Sequence, residues 1–193
     1  MNKRLLSRLM CERVKGLRNS GVYFFHGDFE HILQGAVLEY VPRGLYVWVF
    51  KFPLFDFFGP HLSHSHRLTE HPFIEKGEMS DQEIVDYVMN SPDTQRTLNA
   101  DKPMSLIDFY NEHLLKFDAR RNPHFCLVQA GALVLLGEES RAADVLSNPP
   151  PTLHRTDIPH WSQLESSLKQ GSEAARALLD DVRKSNMKKL GMA

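Results

Sequence analysis

The sequence lacks most of the features by which a biochemical class is usually recognised. It contains two cysteines, Cys11 and Cys126, so a disulfide scaffold is not expected and a reducing, cytoplasmic setting is predicted. No apolar run approaches the roughly 18 residues that a membrane-spanning helix needs, and a membrane partner is therefore not expected. Charged residues interrupt the basic N-terminus, so a secretory signal is not predicted.

Motifs for nucleotide binding and nucleophilic catalysis are also missing. The chain has no glycine-rich phosphate loop, no dinucleotide fingerprint and no nucleophile elbow, and no cofactor is predicted. Lysine plus arginine number 23 and aspartate plus glutamate 24, which gives a formal net charge of −1. This balance argues against binding to nucleic acid or to an anionic membrane through overall charge.

The most β-like stretch lies between residues 32 and 58. The run from Leu45 to Phe52 consists almost entirely of β-branched and aromatic side chains, which suit a pleated surface. Because the run is continuous, we expect a strand buried on both faces or nearly so. Residues 32–40 mix polar and apolar side chains and predict a less buried neighbour. Pro42-Arg43-Gly44 predicts the turn, with a glycine that accepts positive φ.

A helix and a short strand are predicted before this hairpin. Residues 2–17 place apolar side chains at helical spacing on one face and basic side chains over much of the rest. The basic face is interpreted as the solvated side of an amphipathic helix or as a binding face for an acidic partner or nucleic acid. Asn19-Ser20-Gly21 predicts the helix end, and residues 22–25 predict a strand.

The second half of the chain is predicted to be helical. Ser80-Asp81-Gln82-Glu83 has the pattern of a capping box. Further helices are expected over residues 104–117, 124–136, 138–146, 160–170 and 172–190, with polar or proline-rich connectors at 90–103 and 148–159. Residues 122–150 resemble one helical hairpin of the tetratricopeptide type, in which small alanines let two helices approach and Gly137 makes the turn.

These patterns together predict an α+β fold. An N-terminal helix packs on a small, mostly antiparallel sheet, and a C-terminal helical layer follows. Residues 1–78 are predicted to form the helix and sheet region, and residues 79–193 the helical region. The two regions would share one core if the buried strand is covered on both faces.

The densest polar cluster, between residues 56 and 71, is the main candidate site. His61, His64 and His66 could supply three imidazoles to a metal ion, with Asp56 or Glu70 as a carboxylate ligand. Strand and helix spacing each place only two of the three histidines on one face. A polar loop without metal, or a surface that titrates near about pH 6.5, is therefore kept as an alternative.

Two further side chains are interpreted individually. Arg67 is read as a buried counter-ion for Asp56 or Glu39, or as part of a binding site. Cys126, two residues after His124, is read as a core cysteine rather than a catalytic nucleophile, because free cysteine is among the most buried residue types.

The order of segments in residues 20–68 resembles uncharacterised bacterial proteins, some of which look like immunity proteins of contact-dependent or polymorphic toxin systems. The resemblance is carried by GVYFF, ILQGAVLEY and LYVWVFKFPLFD, followed by an arginine and then by helices. It implies a protein that binds one cognate protein partner and blocks it. It carries over no functional residue.

The leading hypothesis is therefore a protein-interaction module of immunity type, without enzymatic turnover. Its partner-binding surface is expected on the loop from Asp56 to His71, with Asp56, His61, His64, His66 and Arg67, or on the helical layer. The alternative is a metal-dependent hydrolase that uses the three histidines. Nucleic-acid binding through the first helix is a third hypothesis, and it predicts an affinity that falls steeply with salt.

Overall fold

The computed structural model confirms the predicted α+β class. It describes residues 1–26, 29–60, 64–98, 103–115 and 122–192. Within these ranges the chain forms a six-stranded antiparallel sheet and eight α-helices, with one helix before the sheet and the others after the hairpin.

The strands and helices have the following bounds. The strands are β1 (Arg18–Ser20), β2 (Tyr23–Phe25), β3 (Ile32–Val41), β4 (Gly44–Pro53), β5 (Ser65–Arg67) and β6 (Phe73–Glu75). The helices are α1 (Lys3–Arg13), α2 (Asp81–Asn90), α3 (Pro92–Leu98), α4 (Leu106–Phe109), α5 (Pro123–Leu135), α6 (Glu139–Ser147), α7 (Ile158–Gln170) and α8 (Ser172–Lys189). A π-helical segment, Tyr110–Leu114, continues from α4.

The chain falls into two compact units. The first, called the sheet unit, comprises Met1–Phe52 and Leu62–Pro103. The second, called the helical unit, comprises Pro53–His61 and Met104–Ala193. Helices α2 and α3 thus belong with the sheet, and the segment directly after β4 belongs with the later helices. The division predicted at residue 78 concerns folding domains and stays a prediction.

The sheet is built around the predicted hairpin of β3 and β4. The strand order is β1-β2-β3-β4-β5, and β6 also pairs with β4. A two-residue turn, Pro42-Arg43, joins the long strands. Gly44 does not have positive φ, contrary to the expectation for the turn. Glycine is needed there because a Cβ would collide with the carbonyl oxygen of Ile74 on β6.

Side chains alternate between two faces along β4. Leu45, Val47 and Val49 are each at most 2% exposed and pack with apolar side chains of α1, α2 and α3. On the opposite face, Tyr46 and Trp48 are only half-buried. The strand is therefore nearly buried on both faces, as expected, but two aromatic residues keep part of their surface exposed.

Helix ends follow local signals where those signals are strong. The predicted capping box at the start of α2 is confirmed, since Glu83 N–H donates to Ser80 Oγ at 3.2 Å and Ser80 N–H donates to Glu83 Oε2 at 2.7 Å.

Three short segments differ from prediction. Helix α1 ends at Arg13 and residues 18–20 form β1; the polar segment after β4 contributes β5 and β6; and residues 92–98 form α3. Pairing and packing, rather than local periodicity, define these elements.

The helical unit is packed around α5, eight of whose residues are buried. Gly131 marks a close approach, because a Cβ there would lie 3.1 Å from Phe55 Cδ2 and 3.4 Å from Leu179 Cδ2. Gly137, with a φ of 81°, makes the turn between α5 and α6. The tetratricopeptide resemblance of this hairpin stays a prediction. Among the helices described, none combines the length and apolarity needed to cross a bilayer.

Candidate functional site

Within the sheet unit, the face of the sheet opposite α1, α2 and α3 carries a cluster that we call the aromatic platform. It consists of Tyr46 and Trp48 of β4, Arg67 of β5 and Phe73 of β6. Trp48 lies opposite Arg67 in the strand register, and Tyr46 lies opposite Phe73. Since directly opposed residues share a face of the sheet, the register places all four side chains on one surface.

Arg67 lies over both aromatic rings of β4. Its Cζ is 3.9 Å from the ring centroid of Tyr46 and 4.6 Å from that of Trp48, within the roughly 6 Å reach of a cation–π interaction. Arg67 is exposed. Among the described residues no carboxylate pairs with its guanidinium, which leaves its N–H donors available to a partner.

The rings of the platform are held in place by neighbours that do not cover them. Trp48 Nε1 donates a hydrogen bond to Glu39 Oε2 at 2.8 Å. The ring centroids of Tyr46 and Phe73 are 4.6 Å apart. A surface fixed in this way loses little conformational entropy when a partner binds to it.

A cavity adjoins the platform at the hairpin tip. Its volume is about 540 Å³, and it is lined by Val41, Pro42, Arg43, Tyr46, Phe73 and Glu75. The two charged lining residues pair with each other, with Arg43 Nη2 3.7 Å from Glu75 Oε1. The volume lies in the range of about 300–1,000 Å³ that is usual for ligand pockets. The cavity can therefore accept an apolar side chain beside the rings.

Asp93 of α3 forms the centre of a second polar cluster in the sheet unit. Its Oδ1 accepts from Arg96 Nη2 at 2.6 Å, and its Oδ2 accepts from Thr69 N–H at 3.2 Å and Thr69 O–H at 3.0 Å. His66 Nε2 lies 3.7 Å from Oδ1. Burial by itself would raise the pKa of Asp93, but the hydrogen bonds from Arg96 and Thr69 and the nearby His66 outweigh it and lower the pKa. The cluster holds an ionised carboxylate that is only 7% exposed.

The described residues do not assemble the three-histidine metal site. His66 lies opposite Val49 and contacts Asp93. His64 precedes β5, and its backbone carbonyl accepts a hydrogen bond from Lys51 N–H at 2.9 Å. In the described ranges no three His, Cys, Asp or Glu residues converge as metal ligands would. His61 lies outside the described residues, so the metal hypothesis that includes it stays a prediction.

The helical unit contains a buried acid–histidine pair. The side chain of Asp56 is 1% exposed, and its Oδ2 lies 2.7 Å from His124 Nε2. Its Oδ1 accepts from Phe58 N–H at 3.0 Å. Asn186 Nδ2 donates to the backbone carbonyls of Asp56 and Leu54, at 2.8 Å each. A carboxylate fixed in this way orients the imidazole, as it does in acid–base sites and in structural ion pairs.

Aromatic rings surround the imidazole of this pair. The Phe58 ring centroid lies 5.0 Å from that of His124 and 5.2 Å from that of His160. Phe58 is 38% exposed, so the pair lies just beneath the surface of the unit. Cys126 is 5% exposed, which confirms its interpretation as a core cysteine.

The structure divides the predicted partner-binding residues between the two units. Asp56 belongs to the helical unit, whereas His64, His66 and Arg67 belong to the sheet unit. The interpretation of Arg67 as a buried counter-ion is wrong. Arg67 is exposed on aromatic rings, while Asp56 contacts His124 and Glu39 accepts from the Trp48 indole.

Sequence reasoning missed the aromatic part of the platform because it took Tyr46 and Trp48 as members of a buried run. A usable signal was present, since these two residues alternate with Leu45, Val47 and Val49. Tyrosine and tryptophan combine an apolar ring with a polar tip and suit a half-exposed face. Phe73 had no local signal, because only the pairing of β6 with β4 brings it to Tyr46.

Comparison of the chain with protein-family models, with curated proteins and with solved structures finds no match in any of the three. A function for this chain therefore has to be argued from the geometry and chemistry of its own residues.

Proposed function

We propose that the chain is a protein-interaction module of the immunity type, which binds one cognate protein partner through the aromatic platform and blocks it. The observation that carries the proposal is the exposed Arg67 stacked on Tyr46 and Trp48. Arginine, tyrosine and tryptophan are the residue types most enriched among interface hot spots. Here they are adjacent, ordered and only partly covered.

The surroundings of the platform resemble the organisation of a protein interface. Interfaces combine aromatic anchors at their centre with a polar rim that stays hydrated. Around the rings of the platform, Glu39 is engaged with Trp48, and Arg43 is paired with Glu75. Among these described side chains, Arg67 is the cation that no carboxylate pairs with, and it lies at the centre of the aromatic group.

The blocking role is taken from the resemblance of residues 20–68 to immunity proteins. Such a role requires tight binding of one partner and no turnover by the chain itself. A rigid platform favours tight binding because fewer side chains must be ordered on association.

The proposal is tested by photo-crosslinking in the source organism. A photoreactive p-benzoylphenylalanine replaces Phe73 in the full chain, and a control chain carries it at Ile158, which is 47% exposed in the helical unit. We expect one protein to cross-link strongly at position 73 and weakly at position 158. Equal cross-linking at both positions, or none at position 73, would contradict the proposal.

A second measurement tests the block itself. The captured protein is purified, and its activity is assayed while the chain is added. An immunity-type module should abolish that activity near one chain per partner molecule. Full activity in the presence of excess chain would show that the module binds without blocking.

A further inference from the structure

The charges around the platform define what kind of partner segment it fits. In the described part of the chain, four charged side chains belong to the platform, contact it or line its cavity: Glu39, Arg43, Arg67 and Glu75. Glu39 accepts from the Trp48 indole, and Arg43 and Glu75 pair with each other. The indole that donates to Glu39 is neutral, so Glu39 keeps its charge and the four charges sum to zero. Arg67 is nevertheless the cation of this set that no described carboxylate pairs with, and its guanidinium is the group that a carboxylate of the partner can meet.

The guanidinium of Arg67 is suited to a carboxylate. It is planar and carries five N–H donors in a fixed fork, which matches a carboxylate in a bidentate pair. Stacking on Tyr46 and Trp48 restricts its rotation, so less side-chain entropy is lost when the pair forms. Phosphorylated segments are usually recognised by clusters of arginines, whereas the platform carries one.

The adjoining cavity is suited to an apolar side chain. Tyr46 belongs both to the stack beneath Arg67 and to the lining of the cavity of about 540 Å³. Arg67 and the cavity thus form two adjacent subsites that share the ring of Tyr46. Side chains at positions i and i+2 of an extended segment lie roughly 7 Å apart on one face, and those at i and i+3 or i+4 of a helix lie about 5–6 Å apart. Either arrangement can fill both subsites.

We infer that the platform binds a segment of its partner protein in which an acidic residue lies two to four positions from a large apolar residue. The carboxylate pairs with Arg67, and the apolar side chain enters the cavity beside Tyr46 and Phe73. This inference rests on the proposed function, because it assumes that a protein occupies the platform.

The inference is tested with random peptides displayed on phage, selected on the full immobilised chain. Binders of the Arg67→Ala chain are removed by counter-selection. We expect the enriched peptides to share Asp or Glu two to four positions from Leu, Ile, Phe, Tyr or Trp. Synthetic peptides should bind the Arg67→Ala chain at least tenfold more weakly than the native chain. Arg67→Lys should fall between the two, because it keeps the charge and loses the planar fork.

A matched control is available on α1. Arg8 has a side chain that is 67% exposed, and it pairs with Glu12 at 3.6 Å. The Arg8→Ala chain should bind the peptides as the native chain does. Circular dichroism of each variant verifies the fold, and Arg67→Gln replaces Arg67→Ala if the latter is not folded.

Several outcomes would overturn the inference. They are a failure to enrich any peptide, enriched peptides without an acidic residue, and equal affinity for the native and Arg67→Ala chains. Tighter binding after replacement of the acidic residue by phosphoserine would assign the site to phosphate instead. Cross-linking through a partner segment without an acidic residue would refute this inference and leave the proposed function standing. Absence of a cross-link at position 73 would count against the proposed function itself.

Discussion

The aromatic platform carries an exposed charged side chain, whereas the carboxyl group of the Asp56–His124 pair is buried. In the sheet unit, Arg67 is exposed on two rings without a described carboxylate partner. In the helical unit, Asp56 is 1% exposed and contacts both His124 and the Phe58 N–H. A buried charged group needs its neighbouring partners, because removal of a partner leaves the charge uncompensated in a medium of low dielectric and destabilises the fold. An exposed charge contributes little to stability and remains available for binding.

The first prediction addresses the buried side of this comparison. Replacement of His124 by alanine should lower the free energy of unfolding of the helical unit by about 3 kcal/mol, because the buried carboxyl group of Asp56 loses the hydrogen bond to the imidazole. Urea unfolding is followed by the fluorescence of Trp161. The chain has two tryptophans, so a Trp48→Phe background leaves Trp161 as the reporter.

A double-substitution cycle verifies that the effect comes from the pair. In an Asp56→Asn background the carboxyl group is absent, and the His124→Ala change should cost less than half as much. Equal costs in both backgrounds would show that the imidazole stabilises the unit through packing on Phe58 instead.

The second prediction concerns the backbone that holds Asp56 in place. Asn186 is 1% exposed and donates to the carbonyls of Leu54 and Asp56. Replacement by alanine should cost about 2 kcal/mol, because a buried acceptor then loses its donor. Asn148→Ala is the control, since that exposed asparagine also donates to a backbone carbonyl, that of Asp144. If the two variants lose equal stability in urea unfolding, burial is not what gives Asn186 its effect.

The third prediction uses the pH dependence of the Asp93 cluster. Replacement of Asp93 by asparagine should cost about 1–2 kcal/mol at pH 7, because hydrogen bonds to a charged acceptor become neutral ones. The pKa of Asp93 is lowered in the folded state, although burial alone would raise it, because hydrogen bonds from Arg96 and Thr69 favour the ionised form. Its stabilisation is therefore present above the unfolded pKa of about 3.9 and is lost as the pH falls through the folded pKa.

The measurement is urea unfolding by circular dichroism between pH 7 and pH 3. The difference between the native and Asp93→Asn chains should be largest at pH 5–7 and should shrink below about pH 4. The exposed Asp144 supplies the control, as Asp144→Asn. A difference that stays constant down to pH 3 would mean that asparagine perturbs packing rather than charge.

Elements with strong local signals could be predicted from the sequence. The hairpin of β3 and β4, the capping box at Ser80 and the break at Gly137 each depend on residues adjacent in the chain, and the structure has all three. The short strands β5 and β6 could not be predicted, because three residues carry no usable period and both strands exist through pairing with β4.

The candidate sites show the same limit more clearly. Arg67 was singled out from the sequence, but its stacking on Tyr46 and Trp48 follows from the strand register. Asp56 was also singled out, but its partner His124 is 68 positions away. Residue type indicates which side chains carry chemistry. The partners of those side chains are set by tertiary pairing over long sequence distances.

The smallest effect on stability is predicted for the replacement of Arg67. This replacement is the sharpest test of the contrast between the aromatic platform and the Asp56–His124 pair. Replacement by alanine removes an exposed cation–π contact, so the free energy of unfolding should change by less than about 1 kcal/mol. Partner affinity should fall at least tenfold, because truncation of an interface hot spot typically costs about 2 kcal/mol or more. Urea unfolding measures the free energy of unfolding, and titration with the partner identified by cross-linking measures the affinity. Both measurements use the same Arg67→Ala chain. A large loss of stability with unchanged affinity would identify Arg67 as a structural residue. Arg67 and the Asp56–His124 pair would then both serve folding, and the contrast between the two units would be lost.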